Sequence, residues 1–447
     1  MRRLGFCLLF LVFGLSVCVA ETNSIVWHKA ADRVDADVRS LELSQLLEQI
    51  AAQTGWRVYV EPDTTHTTSA KFKNLPSGDA LKMLLGDLNF ALVPQTNAVA
   101  RLYVFRTVMK NATRQVLAPK TVAKRVANEL LVKLKPGTDV DALARLLGAK
   151  VIGRNDKLGV YRLQFGDAAA TDTALGQLQN NSDVAAVDYN YVFDMPTVIQ
   201  QLANVPIAPV SLTLNPPGNS GKVIVGLVDT PVQSLDGSLN NFLLKQLSVA
   251  GDTGVSGSDP THGTAMAETI LRALAAASDG GSSAQILPVN VYGTGETTTS
   301  WDVALGIQLA VDNGATIINL SLGGAGDSSV LDSIIQQAIK AGIPVFAAAG
   351  NNASSAATYP AAVAGVIAVT ATQGTQLAPY ANYGNYVDMA LPGTSVIYLN
   401  GLAYVVLGTS VSTAYATGVA AGNKASTALT WPQIESAMQT KFTVPTK

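Results

Sequence analysis

His262 is the only histidine of the 447-residue chain beyond position 66, and it stands in the run "DPTHGTAMAETI". Imidazole has an ordinary pKa near neutrality, which suits it to taking a proton and giving it back. His28 and His66 lie far upstream, so acid–base chemistry through histidine points to His262. Three other positions complete a set. Asp229 ends the apolar run "VIVGLVD", Asn351 closes "PVFAAAGN", and Ser410 sits in "LGTSVSTAYATG". Acid, base and nucleophile in that order describe a Ser-His-Asp system. A serine hydroxyl is a poor nucleophile until an imidazole removes its proton. A buried carboxylate then fixes the imidazole tautomer and stabilises the cation that forms. A serine at a helix N-terminus has backbone N–H groups aimed at a developing oxyanion, and an asparagine amide supplies a further donor. Taken singly, each residue has an ordinary structural explanation: a strand-end turn, a helix cap, a loop residue, an N-cap. Their joint order and placement carry the catalytic reading.

Those side chains need elements that end in the right places. From Gly221 onward, near-continuous apolar runs alternate with amphipathic ones. "KVIVGLVDT" and "QILPVNVYG" read as buried strands, "SWDVALGIQLAVDNG" as a helix closed by Gly314, and "ATIINLSLGG" as the next strand. "SVLDSIIQQAIKAG" predicts a helix closed by Gly342, followed by the strands "IPVFAAAGN" and "AGVIAVTAT" and the helix "SVSTAYATGVAAGNKA". This alternation predicts an α/β fold, a parallel sheet flanked by helices on both faces. In open sheets of this kind reactive groups gather at the carboxyl ends of the strands. His262 and Ser410 are expected at helix starts.

Two small α+β domains are expected upstream. Residues 21–110 place Leu43, Leu46, Leu47 and Ile50 on one helical face closed by Gly55, then the strand "RVYVEP", the helix "SGDALKMLLGDL" and the strand "ARLYVFR". Residues 122–195 read as a strand and turn "NELLVKLKPGTDV", a helix "VDALARLLGA", a strand "LGVYRLQF", a helix "DTALGQLQNNSDV" and a last strand "VAAVDYNYVF". The proline-dotted stretch 196–217 reads as an extended linker. Residues 218–447 then form the largest domain.

Net charge is −2 and charged residues are 14% of the chain, so nothing points to nucleic acid or an anionic membrane surface. With 48% hydrophobic residues and 38 glycines the composition fits a large buried core with many tight turns. The first 20 residues, "MRRLGFCLLFLVFGLSVCVA", have two arginines before an apolar run, the pattern of a bacterial export signal cleaved after Ala20. A retained anchor and lipidation of Cys18 stay open. Cys7 and Cys18 are the only cysteines, so a mature chain has no disulfide, thiolate nucleophile or cysteine metal site. No dense Asp/Asn run of the kind calcium favours appears. No cofactor and no metal ligands are expected; structural calcium stays open but has no support in the sequence. The expected location is exported, periplasmic or extracellular.

The set "VDT", "HGTAMA", "INLSLGG", "AAAGNN", "YPAA", "VIAVTAT", "YANYGNYVDMALPG" and "GTSVSTA" resembles the catalytic domain of subtilases throughout residues 219–440. The order Asp, His, Ser is the subtilisin order. The resemblance implies a subtilisin-like sheet and a serine endopeptidase acting on polypeptides, with Asp229, His262 and Ser410 as triad and Asn351 as oxyanion donor. It implies that Ser321, Leu322 and Gly323 form the strand that pairs with the substrate backbone, and that Ala348, Ala349 and Gly350 wall the primary specificity pocket. Residues 122–195, down to "VDYNYVF", are similar to the inhibitory prodomains of secreted subtilases. That similarity implies a self-processing zymogen with its own prodomain as intramolecular inhibitor. The run "LPSGDALKMLLGDLNF" resembles the short N-terminal domain of secretins and TonB-dependent receptors, which implies an envelope protein partner for residues 21–110 and no catalysis there.

The chain departs from the subtilase pattern near the triad. Pro231 stands where glycine is usual, as does Glu268, expected on a solvated face of the histidine helix. Ala414 replaces a proline and Tyr415 a histidine. A second reading, an inactive subtilase-like protein that binds peptides in the bacterial envelope, stays open at this point.

Overall fold

The structure, a computed structural model, describes residues 24–28, 32–94, 100–116, 123–196, 199–202, 212–216, 222–251, 255, 257, 259–278 and 280–445. The export-signal reading, with Cys7 and Cys18, and much of the linker therefore lie outside the described residues. The chain divides into two compact units, 1–119 and 120–447.

The first unit contains β1 (Ser24–His28), β2 (Arg33–Glu42), α1 (Leu43–Thr54), β3 (Arg57–Val60), β4 (Thr67–Pro76), α2 (Ser77–Leu85), β5 (Asn89–Val93), β6 (Arg101–Phe105) and β7 (Arg114–Val116). Its strands make two sheets, β1-β2-β4 and β5-β6-β3-β7. Leu43, Leu46, Leu47 and Ile50 of α1 are buried in one core with Leu81, Leu84 and Leu85 of α2, and Gly55 closes α1 in the left-handed conformation at φ 75°. Both expected helices form. The β1-β2-β4 sheet was not expected from the pattern.

The second unit opens with β8 (Arg125–Leu134), α3 (Val140–Leu146), β9 (Lys150–Asn155), β10 (Val160–Gln164), α4 (Ala168–Gln179) and β11 (Val184–Asp194). Asp139 and Asp167 cap the two helices by accepting first-turn N–H groups. Short strands follow at β12 (Ile199–Gln201) and β13 (Thr213–Leu214), so the stretch expected to be a plain linker is partly strand-paired.

The rest is β14 (Ile224–Asp229), β15 (Leu247–Ser248), α5 (His262–Ala277), β16 (Gly281–Ser282), β17 (Gln285–Asn290), β18 (Thr297–Thr299), α6 (Ser300–Asp312), β19 (Ile317–Leu320), α7 (Ser329–Lys340), β20 (Val345–Ala348), β21 (Ile367–Gln373), β22 (Gln376–Leu377), β23 (Met389–Pro392), β24 (Thr394–Leu399), β25 (Leu402–Leu407), α8 (Thr409–Ser426) and α9 (Trp431–Lys441). The main sheet runs β15-β17-β14-β19-β20-β21-β22, with β23 also on β21, and it is parallel except at β22.

Residues alternate between its faces. Val225 and Leu227 of β14 join a core with α5, α8 and α9, whereas Ile224 and Val228 join one with α6 and α7. That is the expected doubly covered parallel sheet. Strand order reverses at β14, whose sequence successors β17 and β19 lie on opposite sides of it, and Asp229 ends that strand. No helix among the described residues is long and apolar enough to cross a membrane.

Candidate active site

Asp229 is fully buried at the end of β14, and His262 is the first residue of α5. Their contact is close: His262 Nδ1 lies 2.8 Å from Asp229 Oδ1 and 3.0 Å from Oδ2. The local sequence makes this approach feasible. Thr261 caps α5 by accepting the Thr264 N–H at 3.1 Å, and its own hydroxyl donates to the Pro231 carbonyl at 2.5 Å. Gly263 N donates to Thr230 Oγ1 at 2.7 Å, and a Cβ at Gly263 would run into the Thr230 carbonyl oxygen. The helix start therefore rests directly on the loop that follows the acid. Asp229 Oδ1 also accepts the Thr230 N–H at 2.6 Å, which fixes the carboxylate that faces the imidazole.

Ser410 is brought in by α8, which packs against α5 on the same face of the sheet. Gly408, at φ 144°, turns the chain from β25 into α8, and Ser410 is the second residue of that helix. Its hydroxyl donates to the Ser321 carbonyl at 2.9 Å, while Ser321 Oγ donates back to the Ser410 carbonyl at 3.0 Å. The described hydrogen bond of Ser410 Oγ thus goes to Ser321 and not to His262, a rotamer choice that residue type and spacing do not encode. Asn351 Oδ1 accepts the Thr409 N–H at 2.9 Å and the Thr409 hydroxyl at 3.0 Å. With its oxygen held there, the Asn351 amide nitrogen is the free end. The Ser410 N–H lies in the first turn of α8, where the helix itself leaves donors unpaired.

Ser410, Thr409, Asn351, Gly350, Ala348, Leu322 and Gly323 line one cavity of about 280 Å³. Ser321 is buried just behind it. Ser321, Leu322 and Gly323, the segment expected to pair with substrate, follow directly on β19, which ends at Leu320, and the next pairing within the described residues is an isolated bridge of Gly324 to Tyr359. Ala349 is buried away from the cavity, its carbonyl accepting the Tyr386 hydroxyl at 2.9 Å. His262 lines a neighbouring cavity of about 420 Å³ with Thr230, Pro231 and Pro260.

The small module of residues 125–194 reaches this site along β11. Asp188 accepts the Ser329 N–H at 2.7 Å at the start of α7 and also bonds the Ser329 hydroxyl. Asn190 Oδ1 accepts the Trp301 N–H at 3.1 Å at the start of α6. Val192, Phe193 and Asp194 then pair antiparallel with Thr299, Thr298 and Thr297 of β18. Phe193 is fully buried beside Gly324, where a Cβ would stand 2.9 Å from its ring. Met195 N donates to the Glu296 carbonyl at 2.7 Å. Met195 and Pro196 line both the Ser410 cavity and the His262 cavity.

One expectation fails outright. Glu268 is not solvated: it is 1% exposed, and its carboxylate accepts Arg272 Nη2 at 2.6 Å, Arg272 Nε at 3.0 Å and the Tyr398 N–H at 2.8 Å. The face of α5 that carries it is covered by β24, which helical spacing within α5 does not reveal. Burial pushes its carboxyl above the ordinary range, opposed by Arg272. Ala414 is fully buried, and Tyr415 packs against the same core. Among the described residues no three of His, Cys, Asp or Glu come together to hold a metal ion.

The profile of the fervidolysin N-terminal prodomain matches residues 111–190. Subtilisin E of Bacillus subtilis (strain 168) is 32% identical over 229 residues, 46% of this chain and 57% of that protein. The thermostable alkaline protease of Halalkalibacterium halodurans is 36% identical over 186 residues, 39% of this chain and 52% of that protein. The chain thus spans little more than half the length of these relatives. Fervidolysin from Fervidobacterium pennivorans, described as a keratinolytic enzyme related to subtilisin, aligns with TM-score 0.56 at 21% identity over 70% of this chain and 57% of its own. The epidermin leader peptide processing serine protease of Staphylococcus aureus aligns with TM-score 0.51 at 17% identity over 66% of this chain and 88% of its own. Both share the fold. The profile of the subtilase family matches residues 220–445, half of the 447, and the chain belongs to that family.

Proposed function

We propose that the chain is an exported bacterial serine endopeptidase, made as a self-processing zymogen and hydrolysing polypeptides through Asp229, His262 and Ser410. The observation that carries this is the buried His262–Asp229 pair at 2.8 Å, on a cavity that shares its Met195 and Pro196 wall with the neighbouring cavity of Ser410 and Asn351. In the reaction Ser410 Oγ exchanges the Ser321 carbonyl for His262 Nε2, gives its proton to that nitrogen and bonds to the scissile carbonyl carbon. Such hydrogen bonds commonly form only when substrate is bound. The oxyanion takes hydrogen bonds from the Asn351 amide and the Ser410 N–H. His262 then passes the proton to the leaving amine, and water repeats the sequence in reverse on the acyl-enzyme. Asp229 holds the imidazole tautomer and stays ionised throughout.

In this reading residues 1–20 are the export signal, 21–110 an envelope-docking domain of the secretin/TonB kind, 122–195 the inhibitory prodomain and 218–447 the peptidase domain. Leu322–Gly323 and Ala348–Gly350 border the substrate side chain that precedes the cut, in a pocket of apolar character. A cut in the linker 196–217 separates the prodomain. Met195 and Pro196 lie at the Ser410 cavity and Ile199 pairs with β25, which supports a cut early in that linker.

A fluorophosphonate probe tests the mechanism. Labelling of Ser410 that disappears in His262→Ala is the expected result. Ser410→Ala is expected to accumulate as an uncut, folded chain. If that variant still processes itself when purified alone, the mechanism is wrong. Absence of labelling on matured protein would instead favour the inactive peptide-binding reading, which the Ser410–Ser321 bond alone supports.

A further inference from the structure

Behind Ser410 lies a chain of hydrogen bonds that no step of the reaction above uses. Ser321 Oγ donates to the Ser410 carbonyl at 3.0 Å, Asn319 Nδ2 donates to Ser321 Oγ at 2.9 Å, and the Thr417 hydroxyl donates to Asn319 Oδ1 at 2.9 Å. Asn319, Ser321 and Thr417 are fully buried. A carbonyl can only accept, so the Ser410 end fixes the direction of every link. Ser321 gives its one proton to that carbonyl and takes one from the Asn319 amide, which turns the amide oxygen toward Thr417. Thr417 also lies 2.9 Å from the Thr413 carbonyl of its own helix, and its single proton bridges the two acceptors. The relay thus joins α8 to β19 and the residue that follows it at two points seven positions apart, Ser410 and Thr417. Asn319 is the register partner of Leu227 in β14, the strand that ends in Asp229.

Another side of α8 packs on α5, the helix that opens with His262. Gly418 stands against Ile270, whose carbonyl oxygen would lie 2.3 Å from a Cβ there, and Gly422 stands against Leu274 and Ala277. Ile270 is eight positions after His262, and Gly418 is eight after Ser410. Leu274 and Gly422 are each twelve positions after the same two residues. The two helices therefore run parallel and in register, with His262 and Ser410 at matching starts. Whether those side chains meet depends on the axial position of one helix against the other. A slip of one residue is about 1.5 Å, and misplacement of about 1 Å costs about 100-fold in rate.

We propose that Asn319 and Thr417 are positioning residues: through Ser321 they fix the axial position of α8 against β19, and with it the approach of Ser410 to His262. The inference rests on the peptidase reading. Neither residue is among the described residues that line the Ser410 cavity or the His262 cavity, so both act through Ser321 and the helix and not on substrate. A buried network of this kind holds its geometry only while every member is satisfied. Without the Thr417 hydroxyl, Asn319 Oδ1 is left as a buried acceptor with no donor, and the amide has reason to turn toward another partner. Ser321 then loses the donor that keeps its own proton on the Ser410 carbonyl.

The test compares Thr417→Val, which removes the donor at nearly constant volume, with Thr417→Ser, which keeps it. Matured enzyme is assayed on a peptidyl p-nitroanilide, with working sites counted by fluorophosphonate labelling. Thr417→Val is expected to lower kcat per labelled site by about tenfold or more, with KM little changed, and Thr417→Ser to keep most of the wild-type kcat. The first self-cut of the full-length Thr417→Val chain is expected to slow in proportion. If Thr417→Val does not fold, Thr417→Ala carries the same expectation. A merely structural role would lower the urea midpoint and leave kcat per labelled site at its wild-type value. That outcome, or an equal loss of kcat in Thr417→Ser, overturns the proposal while Ser410 labelling keeps the peptidase reading. A wild-type chain that hydrolyses nothing and takes no fluorophosphonate overturns that reading and this inference with it.

Discussion

An asparagine amide is a useful oxyanion donor only if its nitrogen end faces the substrate. Asn351 is held the right way round by the residue before the proposed nucleophile, since Thr409 gives both its N–H and its hydroxyl to the amide oxygen. The same contact ties Asn351 to the start of α8, and so to the Ser410 N–H, the other proposed oxyanion donor. Asn351→Ala is expected to lower kcat by about 10²–10³-fold with little change in KM, the scale known for such a donor in subtilisin. Steady-state hydrolysis of a peptidyl p-nitroanilide measures it, and a loss confined to KM would show that Asn351 only binds. At this scale the chain is legible in part. Residue types and order single out Asp229, His262, Asn351 and Ser410. They are silent on the Ser410 rotamer, which depends on a carbonyl 89 positions away. They are misleading for Glu268, because a carboxylate on a helix has no signal for burial until its partners, Arg272 and the Tyr398 N–H, are placed by the fold.

Elements bring Asp229 and His262 within bonding distance, and α5 does most of it. Its N-terminus lies on the Thr230 loop because Gly263 has no side chain there, and its middle is latched to β24 by Glu268 and by the Thr269–Ser395 hydroxyl pair at 3.1 Å. Gly263→Ala forces the helix start off the loop. Catalytic misplacement of about 1 Å costs about 100-fold, so kcat is expected to fall by that order while the far end of α5 keeps its packing. Glu268→Ala has a different signature. It leaves the Arg272 guanidinium and the Tyr398 N–H without their shared acceptor, and removing one member of a buried pair costs about 3–5 kcal/mol. Its expected effect is a lowered denaturation midpoint, read by urea titration, with kcat on the surviving folded fraction nearly unchanged. α6 and α7 are legible in the chain because each carries an apolar period closed by a glycine, Gly314 or Gly342, and β14, β17, β19, β20 and β21 because each is a near-continuous apolar run, whereas β15, β22, β23 and α9 carry no such signal. The β24–β25 hairpin has its own signal, Asn400-Gly401 at φ 54° and 74°, the left-handed pair a two-residue turn requires. An expectation built on alternating strands and helices passes over it. The β12 pairing has no such signal, since three residues of a proline-dotted stretch become a strand only when β25 offers an edge.

At the scale of the whole second unit, the small module and the sheet domain meet across a group of acids. Asp188 of β11 caps α7, and Asp327 and Asp332 lie on the loop and first turn of that helix. Asp332 is pushed up to about 7, first by burial, then by the charges of Asp327 and Asp188 and a hydrogen bond to Asp327. Burial likewise raises Asp188, with Asp327 adding to it. The other titratable groups at this seam are Tyr191 of β11 and Tyr359, both raised by burial and the nearby carboxylates. Lys133 of β8 bonds Ser333 of α7 at 3.1 Å and is lowered by burial and by Lys340. A carboxyl with a raised pKa in the docked state keeps its proton there, so docking takes up a proton. Docking is then strongest below the ordinary carboxyl range, near pH 4, and weakens as pH climbs toward about 7, the value for Asp332. Above that the dependence levels off, because Asp332 is ionised in both states. Release of the prodomain after the linker is cut is therefore expected to quicken severalfold between pH 4.5 and pH 7.5. Asp332→Asn, which is neutral throughout, is expected to remove most of that slope while leaving the Asp188 cap in place. Following the lag before full activity in freshly cut enzyme across this range measures both. A wild-type lag that does not vary with pH, or an Asp332→Asn lag that varies just as steeply, would show that the seam does not titrate in docking.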